Sequence, residues 1–209
     1  MNIALINASP KKAESASEAL LHDLKALLND GNTLMDFTFN KPSVTEEEIK
    51  GLRGCRAWIF SFPLYVDGIP SHLISCLRQL EQTRIGSEDT YVYGIANSGF
   101  YEGRQNRNAL AILKNWCGKA GLAWGMGAGL GGGGALAFMK AVPLGKGPKS
   151  TLASAYLKLA DAVNAHASAD NIYTSVALPK ALYKIAAEVG WNQLIKANGG
   201  KKRDLDRRL

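Results

Sequence analysis

The chain has 209 residues, 46% hydrophobic and 21% charged, which are the proportions of an ordinary globular domain with room for one full α/β core. No apolar run reaches the ~18 residues of a membrane span, and the first residues lack the basic n-region of a signal peptide, so neither segment is expected. The formal charge is +7, but Lys196, Lys201, Lys202, Arg203, Arg207 and Arg208 against Asp204 and Asp206 place more than half of that excess at the C-terminal end; a nucleic-acid-binding face is not expected.

Five short apolar segments predict buried parallel strands: 2–7 (NIALIN), 33–38 (TLMDFT), 56–62 (RAWIFSF), 91–97 (YVYGIAN) and 123–128 (AWGMGA). Helical spacing fills the gaps between them. Leu20, Leu21, Leu24, Leu27 and Leu28 mark one helix, ending near Gly31. A second, around 45–53, starts with TEEE, a Thr cap followed by an acidic first turn. Leu73, Ile74, Leu77 and Leu80 follow Pro70 in a third, and Ala109, Ile112, Leu113 and Trp116 form a fourth that stops by Gly118. Residues 151–165 supply a fifth. This alternation predicts an α/β fold with a doubly wound five-stranded parallel sheet, for which the flavodoxin-like order 2-1-3-4-5 is the fold-level inference.

After residue 168 the pattern changes. Residues 178–197 form an amphipathic helix with Pro179 in its first turn and Leu182, Ile185, Ala186 and Val189 on one face, and a basic tail follows. The expected division is a domain over 1–168 and a helical, basic extension over 169–209. A helix packed on the domain with a solvated charged end is favoured over peripheral membrane contact, which Trp191 and Tyr183 beside the lysines keep as the alternative. Cys55, Cys76 and Cys117 form no C-x-x-C pair; buried structural thiols in a reducing cytoplasm are expected.

In open α/β sheets ligands sit beyond the carboxyl ends of the strands. Here that places three loops together: SPKKAESAS (9–17), PLYVDGIP (63–70) and NSGFYEGRQ (97–105). The first feeds a helix N-terminus, where unpaired amides and the dipole favour an anion, with Ser9, Ser15 and Ser17 adding donors and Lys11 or Lys12 a charge. Taken alone, Ser15 or Ser17 is better read as an ordinary helix cap. Tyr65 between two prolines and the short residues Asn97, Ser98 and Gly99 are, singly, packing and a turn.

Together, IALINASPKKAESAS, AWIFSFPLYVDGIPSHL and IANSGFYEGRQ resemble the flavodoxin-like NAD(P)H-dependent FMN reductases, over residues 1 to about 165. The resemblance implies bound FMN, with Ser9, Lys11, Ser15 and Ser17 on its phosphate. It implies Pro63, Leu64, Tyr65 and Val66 along the ribityl chain and ring, and Asn97, Ser98, Gly99 and Tyr101 beside the pyrimidine. It further implies NAD(P)H as hydride donor, a small electron acceptor (quinone, nitro compound or flavin) and a homodimer or homotetramer. Backbone amides near the ring would stabilise the charge of reduced flavin, and since FMN carries the hydride chemistry no catalytic side chain is assigned. The first loop lacks the Thr-Gly-Asn-Thr character of electron-carrier flavodoxins. Such a carrier, without NAD(P)H oxidation, is the competing reading.

Two other signals are discounted. GAGLGG (127–132) matches G-x-G-x-x-G but follows the fifth strand and has no acidic residue before Asp161, so it is expected to be a flexible loop that a ring could approach. His22, His72 and His166, placed on three separate helices, have no metal-ligand spacing, and no metal site is expected.

Overall fold

The structure is a computed structural model that describes residues 1–136, 139 and 141–206. Arg207 and Arg208 of the basic tail, and Phe138 and Lys140 beyond the glycine stretch, lie outside the described residues. The chain divides into two compact units, Met1–Val176 and Ala177–Leu209.

The first unit is built on β1 (Asn2–Asn7), β2 (Thr33–Thr38), β3 (Ala57–Pro63), β4 (Tyr91–Ser98), β5 (Ala123–Gly131) and β6 (Ile172–Ser175). All pair in parallel, in the order β2-β1-β3-β4-β5-β6. The helices are α1 (Ala16–Lys25), α2 (Glu46–Arg53), α3 (Ser71–Gln82), α4 (Arg107–Ala120), the short α5 (Gly133–Leu136) and α6 (Leu152–Asn164).

Side-chain alternation along the strands builds two cores. Trp58, Phe60 and Phe62 of β3 join Leu73, Leu77 and Leu80 of α3 and Leu110, Leu113 and Trp116 of α4 in one buried cluster. On the opposite face the Tyr93 hydroxyl donates to the carbonyls of Ala162 and Ala167 at 3.0 Å, and Tyr156 of α6 donates to the Leu20 carbonyl of α1 at 3.2 Å. These phenols put apolar rings in the core and find a carbonyl for each buried hydroxyl.

Local signals set the start of α2 and the end of α4. Thr45 accepts from the Glu48 amide while the Glu48 carboxylate accepts from the Thr45 amide, a reciprocal capping box at the TEEE start. Helix α4 continues past Gly118 and stops at Gly121, whose φ of +70° supplies the left-handed cap. His166 lies just beyond α6 rather than on it, and its ring pairs with the Arg56 carbonyl at 3.1 Å.

The doubly wound parallel fold is present, with one strand more than expected. Residues 172–175 are not part of a helical extension: Ile172 to Ser175 pair with Ala128 to Gly131 of β5. Strand β5 is itself longer than expected, because the glycine stretch is strand rather than flexible loop. A Cβ at Gly131 would stand 2.0 Å from the Tyr101 carbonyl oxygen, and one at Gly103 would stand 2.0 Å from that of Thr174. The glycines are there because the chain's own backbone occupies the space of their missing side chains.

The second unit holds α7 (Lys180–Ala197), which buries none of its residues, and a short 3-10 helix over Lys202–Asp206. Leu182, Ile185 and Val189 are exposed on one side of α7, and helical spacing places the exposed Trp191 and Leu194 on the other. Among the described residues no helix is long and apolar enough to cross a membrane.

Candidate functional site

The sheet ends in a cluster of buried polar side chains, an uncommon use of core volume that demands hydrogen-bond partners. Ser9, Ser15, Ser17, Asn97, Ser98 and Asn106 are all buried. They come from the loop after β1, the head of α1, the end of β4 and the segment before α4.

Asn7, the last residue of β1, organises the first loop. Its Oδ1 accepts from the Ser9 amide at 3.2 Å and from the Ser15 hydroxyl at 3.5 Å. Ser9 Oγ accepts from the Lys11 amide at 3.3 Å. Ser15 is the N-cap of α1, accepting from the Glu18 amide at 3.1 Å, and Glu14 before it adopts a φ of +53° to turn the chain into the helix. The Ala19 amide is taken by the Ser15 carbonyl at 3.2 Å. Among the described residues the amides of Ala16 and Ser17 have no acceptor, and the exposed Lys11 and Lys12 form no ion pair. Orphan amides, buried hydroxyls and nearby cations form a donor set suited to an anion with several acceptor oxygens.

Asn97 ties this loop to the rest of the sheet. Its Nδ2 donates to Ser17 Oγ at 3.1 Å and to the Phe62 carbonyl at 3.0 Å, while its own carbonyl accepts from the Leu64 amide at 2.7 Å. The three loops expected to converge are thus bonded to one another through a single residue. Asn106 closes the far side, donating to the carbonyls of Gly103 at 2.9 Å and Leu130 at 3.1 Å.

The expected site residues divide by environment. Ser9, Ser15, Ser17, Asn97 and Ser98 are buried, and Pro63, Leu64 and Tyr101 are half-buried. Lys11, Tyr65, Val66 and Gly99 are exposed. Tyr65 and Gly68 exchange two backbone hydrogen bonds of 3.0 Å across Val66 and Asp67, whose φ values are +46° and +58°. This tight turn holds Val66 in the left-handed region, a costly place for a β-branched residue. Phe100, not among the expected residues, is exposed beside Gly99, where an added Cβ would meet nothing within 4 Å. The Asn97 side chain faces inward, so it braces the loops instead of offering its amide to an open surface.

Residues that sequence reasoning missed are Asn7, Asn106 and Gly133. A Cβ at Gly133 would stand 2.8 Å from Asn97 Oδ1, so α5 begins directly against the Asn97 amide. Asn7 carried a legible signal, being a polar residue ending a buried apolar strand. Asn106 and Gly133 carried none, since their partners are distant in sequence. Among the described residues no group of three or more His, Cys, Asp or Glu could hold a metal ion.

A parallel sheet of this order, with a polar site at the carboxyl ends of β1, β3 and β4, defines the flavodoxin-like class. Solved structures with that fold agree. A flavodoxin, WrbA-like protein from Agrobacterium tumefaciens matches with a TM-score of 0.54 at 16% identity, over 79% of this chain and 96% of that one. The FMN-dependent NADH-azoreductase from Bacillus anthracis, solved in complex with FMN, matches with a TM-score of 0.52 at 17% identity, over 80% and 99%. The NAD(P)H:quinone oxidoreductase from Methanothermobacter marburgensis matches with a TM-score of 0.53 at 13% identity, over 78% and 96%. No protein-family model matches the chain, and no curated protein matches it in sequence.

Proposed function

We propose that the Met1–Val176 unit binds FMN and acts as an NAD(P)H-dependent oxidoreductase that reduces a small acceptor such as a quinone, nitro compound or flavin. The observation that carries this reading is the junction of three sheet-end loops at Asn97, with buried serines and orphan amides at the head of α1. That donor set fits a phosphate monoester. The fold shared with an FMN-bound azoreductase and a quinone oxidoreductase supports the assignment by analogy.

In this reading Ser9, Ser17 and the amides of Ala16 and Ser17 hold the phosphate, Ser15 caps the helix behind it, and Lys11 adds positive charge. Pro63 to Val66 flank the ribityl chain and ring, and Ser98, Gly99 and Tyr101 border the pyrimidine side. FMN, when bound, supplies the hydride chemistry, so the chain's work is to bind, orient and exclude water. A homodimer or homotetramer in the cytoplasm completes the proposal, and three free, buried thiols support a reducing compartment.

The test is spectroscopic. Full-length protein incubated with FMN and desalted is expected to keep near-stoichiometric yellow chromophore, and anaerobic mixing with NADH or NADPH is expected to bleach it rapidly. Loss of the chromophore on desalting would overturn the reading. Retention without bleaching would leave a flavin-binding electron carrier.

A further inference from the structure

We propose that Asn97 is a positioning residue that commits the Ser17 hydroxyl to donate its hydrogen into the anion-binding loop. The inference rests on the FMN reading and specifies which serine reads the phosphate and what sets its direction.

The argument begins with the Phe62 carbonyl, which can only accept. The atom of Asn97 facing it at 3.0 Å is therefore the amide nitrogen. That nitrogen has a second hydrogen, and it points to Ser17 Oγ at 3.1 Å. The amide nitrogen has no lone pair to give back, so Ser17 is the acceptor in this bond and its own hydrogen must go elsewhere. Gly133 lies against the oxygen end of that amide, where an added Cβ would stand 2.8 Å from Asn97 Oδ1.

Ser17 is 1% exposed, and no hydrogen bond among the described residues has the Ser17 hydroxyl as donor. Ser15 differs. Its hydroxyl donates to Asn7 and its oxygen accepts from the Glu18 amide, so its hydrogen is already used. Of the two buried serines at the head of α1, Ser17 alone keeps a buried donor to spend. A phosphate dianion offers only acceptors, and a hydroxyl polarised by a donor behind it is the stronger partner for one.

The prediction concerns FMN against riboflavin, which share the ring and ribityl chain and differ in the phosphate. With the full chain, titrated by flavin fluorescence, the unaltered protein is expected to prefer FMN. Ser17→Ala and Asn97→Ala are each expected to cut that preference about tenfold while leaving riboflavin affinity nearly unchanged. Acting through one bond, the two together should lose no more than either alone. Asn97→Asp keeps the shape but accepts the Ser17 hydrogen itself, and is expected to lose at least as much preference.

Equal weakening of FMN and riboflavin in the Asn97 variants would overturn the proposal, because it would mean that Asn97 meets the ring or merely supports the fold. So would an unchanged preference in Ser17→Ala, a substitution that favours the helix and is expected to fold. Absence of any FMN preference in the unaltered chain would instead strike at the FMN reading itself.

Discussion

The ammonium of Lys149 lies 2.7 Å from the Asp23 carboxylate, and Lys149 is only 1% exposed. A buried cation in the segment leading into α6 is thereby fastened to the last turn of α1, the helix whose head carries the serine cluster. Removing one partner strands the other charge in the core. Asp23→Ala is expected to destabilise the chain by about 3 kcal/mol, while Asp23→Leu with Lys149→Met recovers most of the loss. Urea unfolding of the three proteins checks this; equal losses in the single and double variants would contradict it.

The close approach of the Tyr101–Gly103 segment to β5 and β6 makes a second prediction. Gly103→Ala places a methyl carbon against the carbonyls of Thr174 and Gly129, at 2.0 and 2.5 Å, where only backbone movement can make room. A loss of about 3 kcal/mol is expected, with early hydrogen exchange in β6. Gly99→Ala, only four residues away and facing open space, is expected to change stability by less than about 0.5 kcal/mol.

The buried thiols set an alkaline limit. Burial pushes Cys117 from the ordinary 9.0 up to about 12; burial, with the Glu48 charge adding, takes Cys76 to about 11. Between these values the native state keeps protons that the unfolded chain has lost, so stability is intact below about pH 9 and falls as pH rises through the native values. Cys117→Ala is expected to flatten part of that decline in unfolding curves taken from pH 8 to 11. At pH 8 the native protein is expected to resist aromatic disulfide reagents at all three cysteines until it unfolds.

The turn at Val66 stores strain beside the proposed ring site. Asn tolerates the left-handed region better than a β-branched residue, so Val66→Asn is expected to stabilise the chain by about 1 kcal/mol. That corresponds to roughly 2–4 °C in a thermal melt. A drop in Tm would show that the exposed Val66 side chain makes a contact worth more than the relief.

Much of the architecture was legible in the chain itself. Strands 2–7 and 33–38 carry apolar runs bounded by turn residues, and their ends coincide with β1 and β2. Thr45 and its three glutamates announced the start of α2, because a cap is a local bond among residues three apart. The serines at 9, 15 and 17 drew notice for a similar reason: they follow a buried strand and precede a helix, and that order alone brings them to a helix N-terminus.

Strand β6 was hidden because ILE-TYR-THR-SER is four residues long and becomes a strand only by pairing with β5. The glycine row of β5 suggested a loop, since glycine lowers strand propensity; it is a strand because it pairs with β4 and β6, while neighbouring rings and the backbone of residues 101–103 fill the vacated space. Lys149 and Asp23 lie 126 residues apart in sequence, so only the folded chain sets one beside the other.

The chain by itself determined the order of the five longer strands and the helices between them, the cap of α2 and the polarity of the loops, because each rests on contacts between near neighbours or on hydrophobic period. Only the tertiary structure decided which polar groups are spent and which are left to act. Asn97 reaches Ser17 across 80 residues of sequence, and a hydrogen bond between such partners exists only once the strand and helix that carry them have packed together.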